Sequence, residues 1–191
     1  FALNSTLINP TSLALDPAGN LFFVEYGAPR IRRITPEGKI SSYAGTGTGG
    51  TSGDGGLARF ANLNVVGIAM DRNYNLLIAD GVTNRVRIVT AADGIIETLA
   101  GTGLATYDPR SLTLKGDYLY LSDGDRIRRV NIADGGGLSL VAGGNTGFGG
   151  DEGQAVGANL SGPRAHRAGA GRRRRVRALG RRDGGRAGPP R

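Results

Sequence analysis

Three stretches of this chain are variations on one pattern, and a repeat constrains the fold more than any composition figure does. The first, NPTSLALDPAGNLFFVEYGAPRIRRITPEGKISSYAGTG, spans residues 9–47. The second, NVVGIAMDRNYNLLIADGVTNRVRIVTAADGIIETLAGTG, spans 64–103, and the third, DPRSLTLKGDYLYLSDGDRIRRVNIADGGGLSLVAGG, spans 108–144. They align on Ala44-Gly45, Ala100-Gly101 and Ala142-Gly143. A glycine-rich insertion precedes Leu63, and a second follows the third unit in GNTGFGGDEGQAVGANL.

Each unit holds four short apolar runs. In the first they are Leu13-Ala14-Leu15, Leu21-Phe22-Phe23-Val24, Ile31-Arg32-Arg33-Ile34 and Ile40-Ser41-Ser42-Tyr43. The links DPAGN and TPEGK carry proline, glycine and asparagine where tight turns need them, which predicts four hairpin-connected strands and a small antiparallel sheet. Such a sheet buries its faces only against neighbours, so the units must stack. The first two runs of each unit are nearly continuous in apolar residues, as strands covered on both faces are. The third alternates, with Val86 and Ile88 against Arg85 and Arg87, which predicts one face in the core and one toward water. Small residues at Ala14 and Ala69 suit innermost strands crowded around an axis.

The pattern "pro, gap, gly-leu-ala-leu-asp, gap, gly-asn-leu-tyr-val-ala-asp, gap, asn-arg-ile-arg" of the NHL repeat is what these units resemble, carried by Pro10 to Ile34, Val65 to Val89 and Pro109 to Val130. The insertion GTGTGGTSGDGGLARFANLN is similar to those of teneurin-like and bacterial secreted or surface NHL proteins. The resemblance implies an all-β fold: a partial β-propeller of about three four-stranded antiparallel blades plus the start of a fourth, over residues 1–163. It departs from the family at Val65-Val66, where proline is usual, and at the shortened turn Lys115-Gly116-Asp117. Since best-known members have six blades, the chain reads as about half of a propeller. Beginning at Phe1, it is expected to start within a longer protein or after processing. No run approaches the length needed to cross a bilayer. The likeness to secreted proteins implies an extracellular or periplasmic setting.

The formal charge of +8 is unevenly placed. Residues 164–191 hold 11 of the 24 Lys and Arg and one of the 16 Asp and Glu, a net of +10; residues 1–163 therefore hold 13 basic and 15 acidic groups, a net of −2. The tail, AHRAGAGRRRRVRALGRRDGGRAGPPR from Ala165, is expected to be a product of a shifted reading frame without a native fold. GC-rich synonymous codons for Ala165 to Arg173, read one base later, can encode Arg-Ile-Ala-Leu-Ala-Pro-Asp-Gly-Asp. That string matches Ser12 to Asn20 in register. Nucleic acid is then expected to bind only non-specifically, through the tail.

Arg30, Arg85 and Arg126 recur at the start of the third run, soon after Glu25, Asp80 and Asp123. They fit either a ring of arginines that grips an anionic ligand or a carboxylate–arginine pair closing each strand junction. The inserts GGTSGDGG and GGDEGQAVG resemble calcium-binding turns, but Asp54, Asp151 and Glu152 are too few for the six to eight oxygens calcium takes. No metal or other cofactor is expected. With no cysteine, and with His166 in the tail as the single histidine, residues 1–163 lack both a thiol nucleophile and a Ser-His-Asp set. Propeller lyases of the resembled class hold zinc with histidines, and propeller lactonases use glutamate, asparagine and aspartate facing the channel, a set that is not matched here residue by residue; Asp16 and Asp71 are examples of channel-facing carboxylates. The expectation is a non-enzymatic scaffold binding a protein or glycan. A hydrolase or lyase whose active residues lie in further blades is the alternative, followed by nucleic-acid binding.

Overall fold

A computed structural model describes residues 1–82, 84–101, 109–133, 137–146 and 154–160. It contains three four-stranded antiparallel sheets, each with its strands in sequence order. Blade 1 comprises β1 (Pro10–Leu15), β2 (Leu21–Glu25), β3 (Arg30–Ile34) and β4 (Ile40–Ala44). Blade 2 comprises β5 (Val65–Met70), β6 (Leu76–Asp80), β7 (Arg85–Val89) and β8 (Ile96–Ala100), and blade 3 comprises β9 (Pro109–Lys115), β10 (Tyr118–Asp123), β11 (Arg126–Asn131) and β12 (Ser139–Ala142). The innermost strand β5 packs between β1 and β9. Two short strands, β13 (Asn145–Thr146) and β14 (Asn159–Leu160), pair in parallel beyond blade 3. The sheets form an open row, as expected.

The turns explain the registers. At the β1–β2 link the Asp16 carboxylate accepts from the Asn20 amide nitrogen at 2.8 Å and from its side chain at 2.7 Å. Asp71 holds Asn75 in the same way, at 2.8 and 2.9 Å. These Asx turns start β2 and β6 at a fixed residue. At the other end of the innermost strand every blade has a bulge: Ser12, Val66 and Arg110 are skipped in the pairing. The registers make Leu13, Ile68 and Leu112 equivalent; Ser12, Gly67 and Ser111 each precede them in sequence, but Ser12 is the skipped residue of its blade, whereas Gly67 and Ser111 pair with Ala79 and Ser122.

Each blade has a leading face, toward the preceding blade, and a trailing face. Phe22, Val24 and Ile31 on the trailing face of blade 1 meet Ile68, Leu76 and Ile78 on the leading face of blade 2. Leu77 and Val86 meet Leu119 and Leu121 at the second junction in the same way. The Ser12 hydroxyl accepts from the Ile68 amide at 2.9 Å, tying β1 to β5. Gly67 has no such side chain because a Cβ there would stand 2.9 Å from the Arg110 carbonyl.

The insertion between blades 1 and 2 acts as a clasp. Gly45 donates to Ala58 O at 2.9 Å on the blade 1 side. Ala58 donates to Gly94 O at 2.9 Å, and Ile96 and Gly55 pair with Gly56 and Ile96, covering the outer edge of β8. The clasp thereby occupies the first ladder position of that edge strand, at Ile96. Ala58, Ala61 and Leu63 of the clasp are fully or almost fully buried in the junction.

One expectation fails. The alternation in β7 predicts Arg85 and Arg87 toward water, yet Arg87 is 0% exposed. Its face is not a solvent face: it looks into the junction beneath the clasp, and polar alternation alone cannot tell solvent from a buried polar interface. Blade 1 departs in the opposite sense, with Leu13 52% and Leu15 65% exposed. No blade among the described residues covers its leading face.

Candidate functional site

Strands β2, β6 and β10 all end on a carboxylate, and Glu25, Asp80 and Asp123 are all buried. Directly across the register stand Arg30, Arg85 and Arg126. In blade 1, Arg30 Nε donates to Glu25 Oε2 at 2.5 Å and Arg32 joins at 3.2 Å, while Ile8 N reaches Oε1 at 3.1 Å. In blade 2 the arrangement shifts. Asp80 accepts from Asn64 N at 3.1 Å and faces Arg87 at 3.7 Å. Arg85 leans instead to the clasp, 3.5 Å from Asp54 and 3.3 Å from the Thr98 hydroxyl. In blade 3, Arg128 Nε donates to Asp123 at 2.6 Å, and Arg126 lies exposed.

The recurring partner is therefore the second arginine of each Arg-x-Arg, namely Arg32, Arg87 and Arg128. The sequence carries that signal, as every third strand reads Arg-Ile-Arg or Arg-Val-Arg, but proximity along the chain alone favours the nearer arginine. Glutamate reaches both arginines in blade 1 because its side chain is one methylene longer than aspartate's.

Arg87 is the most elaborately held side chain. Its Nε and NH2 donate to Asp54 Oδ1 at 2.9 and 2.5 Å, and NH1 and NH2 donate to the carbonyls of Asn62 and Ser52 at 3.2 Å each. The Thr98 hydroxyl donates to Asp54 Oδ2 at 2.5 Å. Both Asp54 oxygens are thereby engaged within the protein. Burial pushes its pKa up, but the Thr98 hydroxyl and the Arg87 guanidinium overcome this and hold it below the ordinary aspartate value. Glu25 behaves likewise: burial raises it, and the Arg30 hydrogen bond, the Ile8 amide and Arg32 bring it below the ordinary glutamate value. Among the described residues no three His, Cys, Asp or Glu side chains cluster as metal ligands. Asp16 and Asp71 serve the β1–β2 and β5–β6 turns. Asp151, Glu152, His166 and the basic tail lie outside the described residues.

Strand direction brings the β2–β3 and β6–β7 turns, the starts of β1 and β5 and the clasp connections to one end of the sheets. Tyr26 N donates to Asn9 O at 3.2 Å and Gly81 N to Asn64 O at 3.1 Å, pinning the turns to the segments before β1 and β5. Gly27 is needed there, because a Cβ would meet the Ile8 side chain at 2.5 Å. On these turns Tyr26 is 57% and Val82 77% exposed. No helix among the described residues is long and apolar enough to cross a membrane.

No protein-family model and no curated protein matches the sequence. Solved structures do. A streptogramin B lyase matches with TM-score 0.56 and 14% identity, over 73% of this chain and 42% of that one. The nidogen/laminin complex matches with TM-score 0.55 and 20% identity over 74% and 51%, and a gluconolactonase from Xanthomonas campestris with TM-score 0.58 and 16% identity over 79% and 54%. The chain is a partial β-propeller. It spans roughly half the length of these neighbours. Identities this low establish the fold alone. The neighbours correct the expectation of a non-enzyme: lyase and lactonase propellers stand beside a binding protein, so the fold does not exclude catalysis.

Proposed function

We propose that the chain is part of an NHL-type propeller that binds a protein or glycan on the end formed by the β2–β3 turns and their counterparts. The observation that carries this reading is the pair of exposed side chains Tyr26 and Val82 on turns pinned by backbone hydrogen bonds. A rigid aromatic presented to solvent offers large contact area at small entropic cost. Arg126, exposed at the adjoining strand start, supplies a cationic group, whereas Arg30 and Arg85 are engaged by Glu25 and Asp54, so the ligand is one with an anionic group beside an apolar surface.

The test is calorimetric titration of sulfated oligosaccharides and acidic peptides into the chain and its variants. Tyr26→Ala with Arg126→Ala should weaken binding by about 10-fold or more, since each substitution at an anchor costs on the order of 1 kcal/mol. Because the tail would bind any polyanion, the same titrations on a chain ending at Pro163 must retain the effect. Affinity that disappears with the tail and ignores Tyr26 and Arg126 rejects the reading. A second reading rests on the lyase and lactonase neighbours: a propeller enzyme whose reacting groups include residues of further blades. Turnover of a lactone by the chain joined to such blades would favour it.

A further inference from the structure

The β5–β6 turn carries side chains that its fold does not require. In blade 1 the same turn is closed by Pro17, Ala18 and Gly19 between Asp16 and Asn20. Blade 2 keeps the closing pair, Asp71 and Asn75, and places Arg72, Asn73 and Tyr74 between them, all three exposed. Tyr74 stands where Gly19 stands and shares its left-handed backbone, with φ 65° against 81°. Glycine takes that conformation freely, whereas a bulky side chain is strained there. A Cβ on Gly19 would stand 3.2 Å from Pro36 Cγ, and blade 2 has the smaller Ala91 in that place. The turn is also more tightly held. Asp71 accepts in addition from Asn73 N at 2.8 Å, Tyr74 N donates to Asp71 O at 3.1 Å, and Ala91 N donates to Asn75 Oδ1 at 3.0 Å. Strain kept at an exposed residue that glycine would relieve points to a use for the ring.

The groups beside Tyr74 indicate what the ring would meet. Arg72, two residues earlier on the same turn, reaches across the second junction to Asp117 on the β9–β10 turn, NH2 to Oδ1 at 2.8 Å. Both turns lie at the end of the sheets opposite Tyr26 and Val82. The patch therefore offers an aromatic face half open to water, the Asn73 amide, a guanidinium with further N–H donors and a carboxylate with a further oxygen. Donors and acceptors stand together, and the Arg72 charge is balanced by Asp117. An anion would meet the carboxylate and a cation the guanidinium. A ring with an apolar C–H face and hydroxyls that both donate and accept satisfies every one of these groups, and that is the chemistry of a pyranose.

We propose that Arg72, Asn73, Tyr74 and Asp117 form a carbohydrate-binding patch for a neutral glycan chain. The tyrosine stacks on the C–H face of one sugar, and the guanidinium and carboxylate bridge its neighbouring hydroxyls. The rigid turn presents the ring without an ordering cost on binding. All four residues belong to blades 2 and 3, so the patch draws on no other blade. It is separate from the Tyr26 end and does not rest on the reading given to that end.

Saturation-transfer NMR of the full chain with hexasaccharides of glucose, xylose, mannose and N-acetylglucosamine tests this, in salt high enough to silence the basic tail. Transfer to the ring C–H protons of at least one of them is the expected result. Tyr74→Gly restores the residue of blade 1, so it should unfold no earlier than the parent chain while weakening binding about 10-fold or more. Tyr74→Phe should keep most of the affinity, Asp117→Asn should lose several-fold, and Tyr26→Ala should change nothing, which separates this site from the opposite end. No transfer to any of the four sugars overturns the proposal, as does transfer that survives Tyr74→Gly. Lys115, exposed beside Asp117, provides the last arm. Binding of polyuridylate that needs Tyr74 and Lys115 and fades with salt, without sugar binding, overturns the proposal in favour of nucleic acid.

Discussion

Among the described residues, the two junctions between blades are built from closely similar strand registers and differ in what crosses them. Between blades 1 and 2 the clasp brings Asp54 and the carbonyls of Ser52 and Asn62 onto Arg87, which is sealed from water. Between blades 2 and 3, Arg128 meets Asp123 from its own blade and keeps 12% of its side chain exposed. Sequence insertion is thereby converted into burial of charge. Buried guanidinium is tolerable only when nearly every donor is spoken for, and Arg87 meets that condition through groups from the clasp. The clasp then depends on Arg87 as much as Arg87 depends on it.

The comparison breaks most readily at the arginines. Arg87→Ala should lower the stability of the chain by about 3–5 kcal/mol, the usual cost of leaving one partner of a buried ion pair behind. Arg128→Ala should cost less, about 1–3 kcal/mol, because water reaches the vacated site. Urea unfolding midpoints measured in parallel check the ordering, and equal losses would remove the distinction between the junctions. The clasp's own anchor comes next. Leu63→Ala deletes a fully buried side chain and should cost about 2–4 kcal/mol. Leu7, at the corresponding place before β1, is 38% exposed and its alanine variant should cost under about 1 kcal/mol. Similar losses would mean that residues 1–8 are already packed as a junction.

Much of this architecture was legible beforehand, for identifiable reasons. Hairpin turns are local chemistry: Asp16-Pro17-Ala18-Gly19-Asn20 folds on itself, and Gly19 (φ 81°) takes the left-handed conformation a side chain resists. The repeat then multiplied that local signal into a blade count. The burial of Arg87 was not legible, because it depends on Asp54, 33 positions away, arriving from a glycine-rich insert that looked like an open connection. Arg-x-Arg written three times was visible, but sequence spacing alone does not say which arginine turns into the junction.

Acid sharpens the comparison through its carboxylates. Glu25 and Asp54 titrate below their ordinary values of 4.5 and 3.8, burial being outweighed by hydroxyl, amide and guanidinium hydrogen bonds. Their stabilising contribution is complete above those ordinary values, where the unfolded chain is also ionised. It is lost as pH falls from there through the depressed folded values. Stability followed by urea titration between neutral pH and pH 3 should therefore decline on the acid side. Asp54→Asn should start less stable and decline less steeply, because one of the groups that protonates is gone. An unchanged slope would mean that Asp54 is not held by Arg87 in solution.

The smallest effect belongs to the second junction and supplies its control. Arg72 of blade 2 reaches Asp117 of blade 3 at 2.8 Å, with side chains 66% and 34% exposed. This pair spans two blades as Asp54 and Arg87 join clasp to blade, so distance alone would rank them together. Exposure separates them. Water screens the Arg72 charge, and holding two long side chains in one geometry costs entropy, which leaves about 0–1 kcal/mol. Arg72→Ala should shift the urea midpoint barely beyond error, and the shift should vanish in high salt, where exposed charges are screened. Arg87→Ala should keep most of its effect in the same salt, because ions do not enter its site. If Arg72→Ala proved as damaging as Arg87→Ala, or as indifferent to salt, the second junction would be held by buried charge as firmly as the first, and the clasp would not be what distinguishes them.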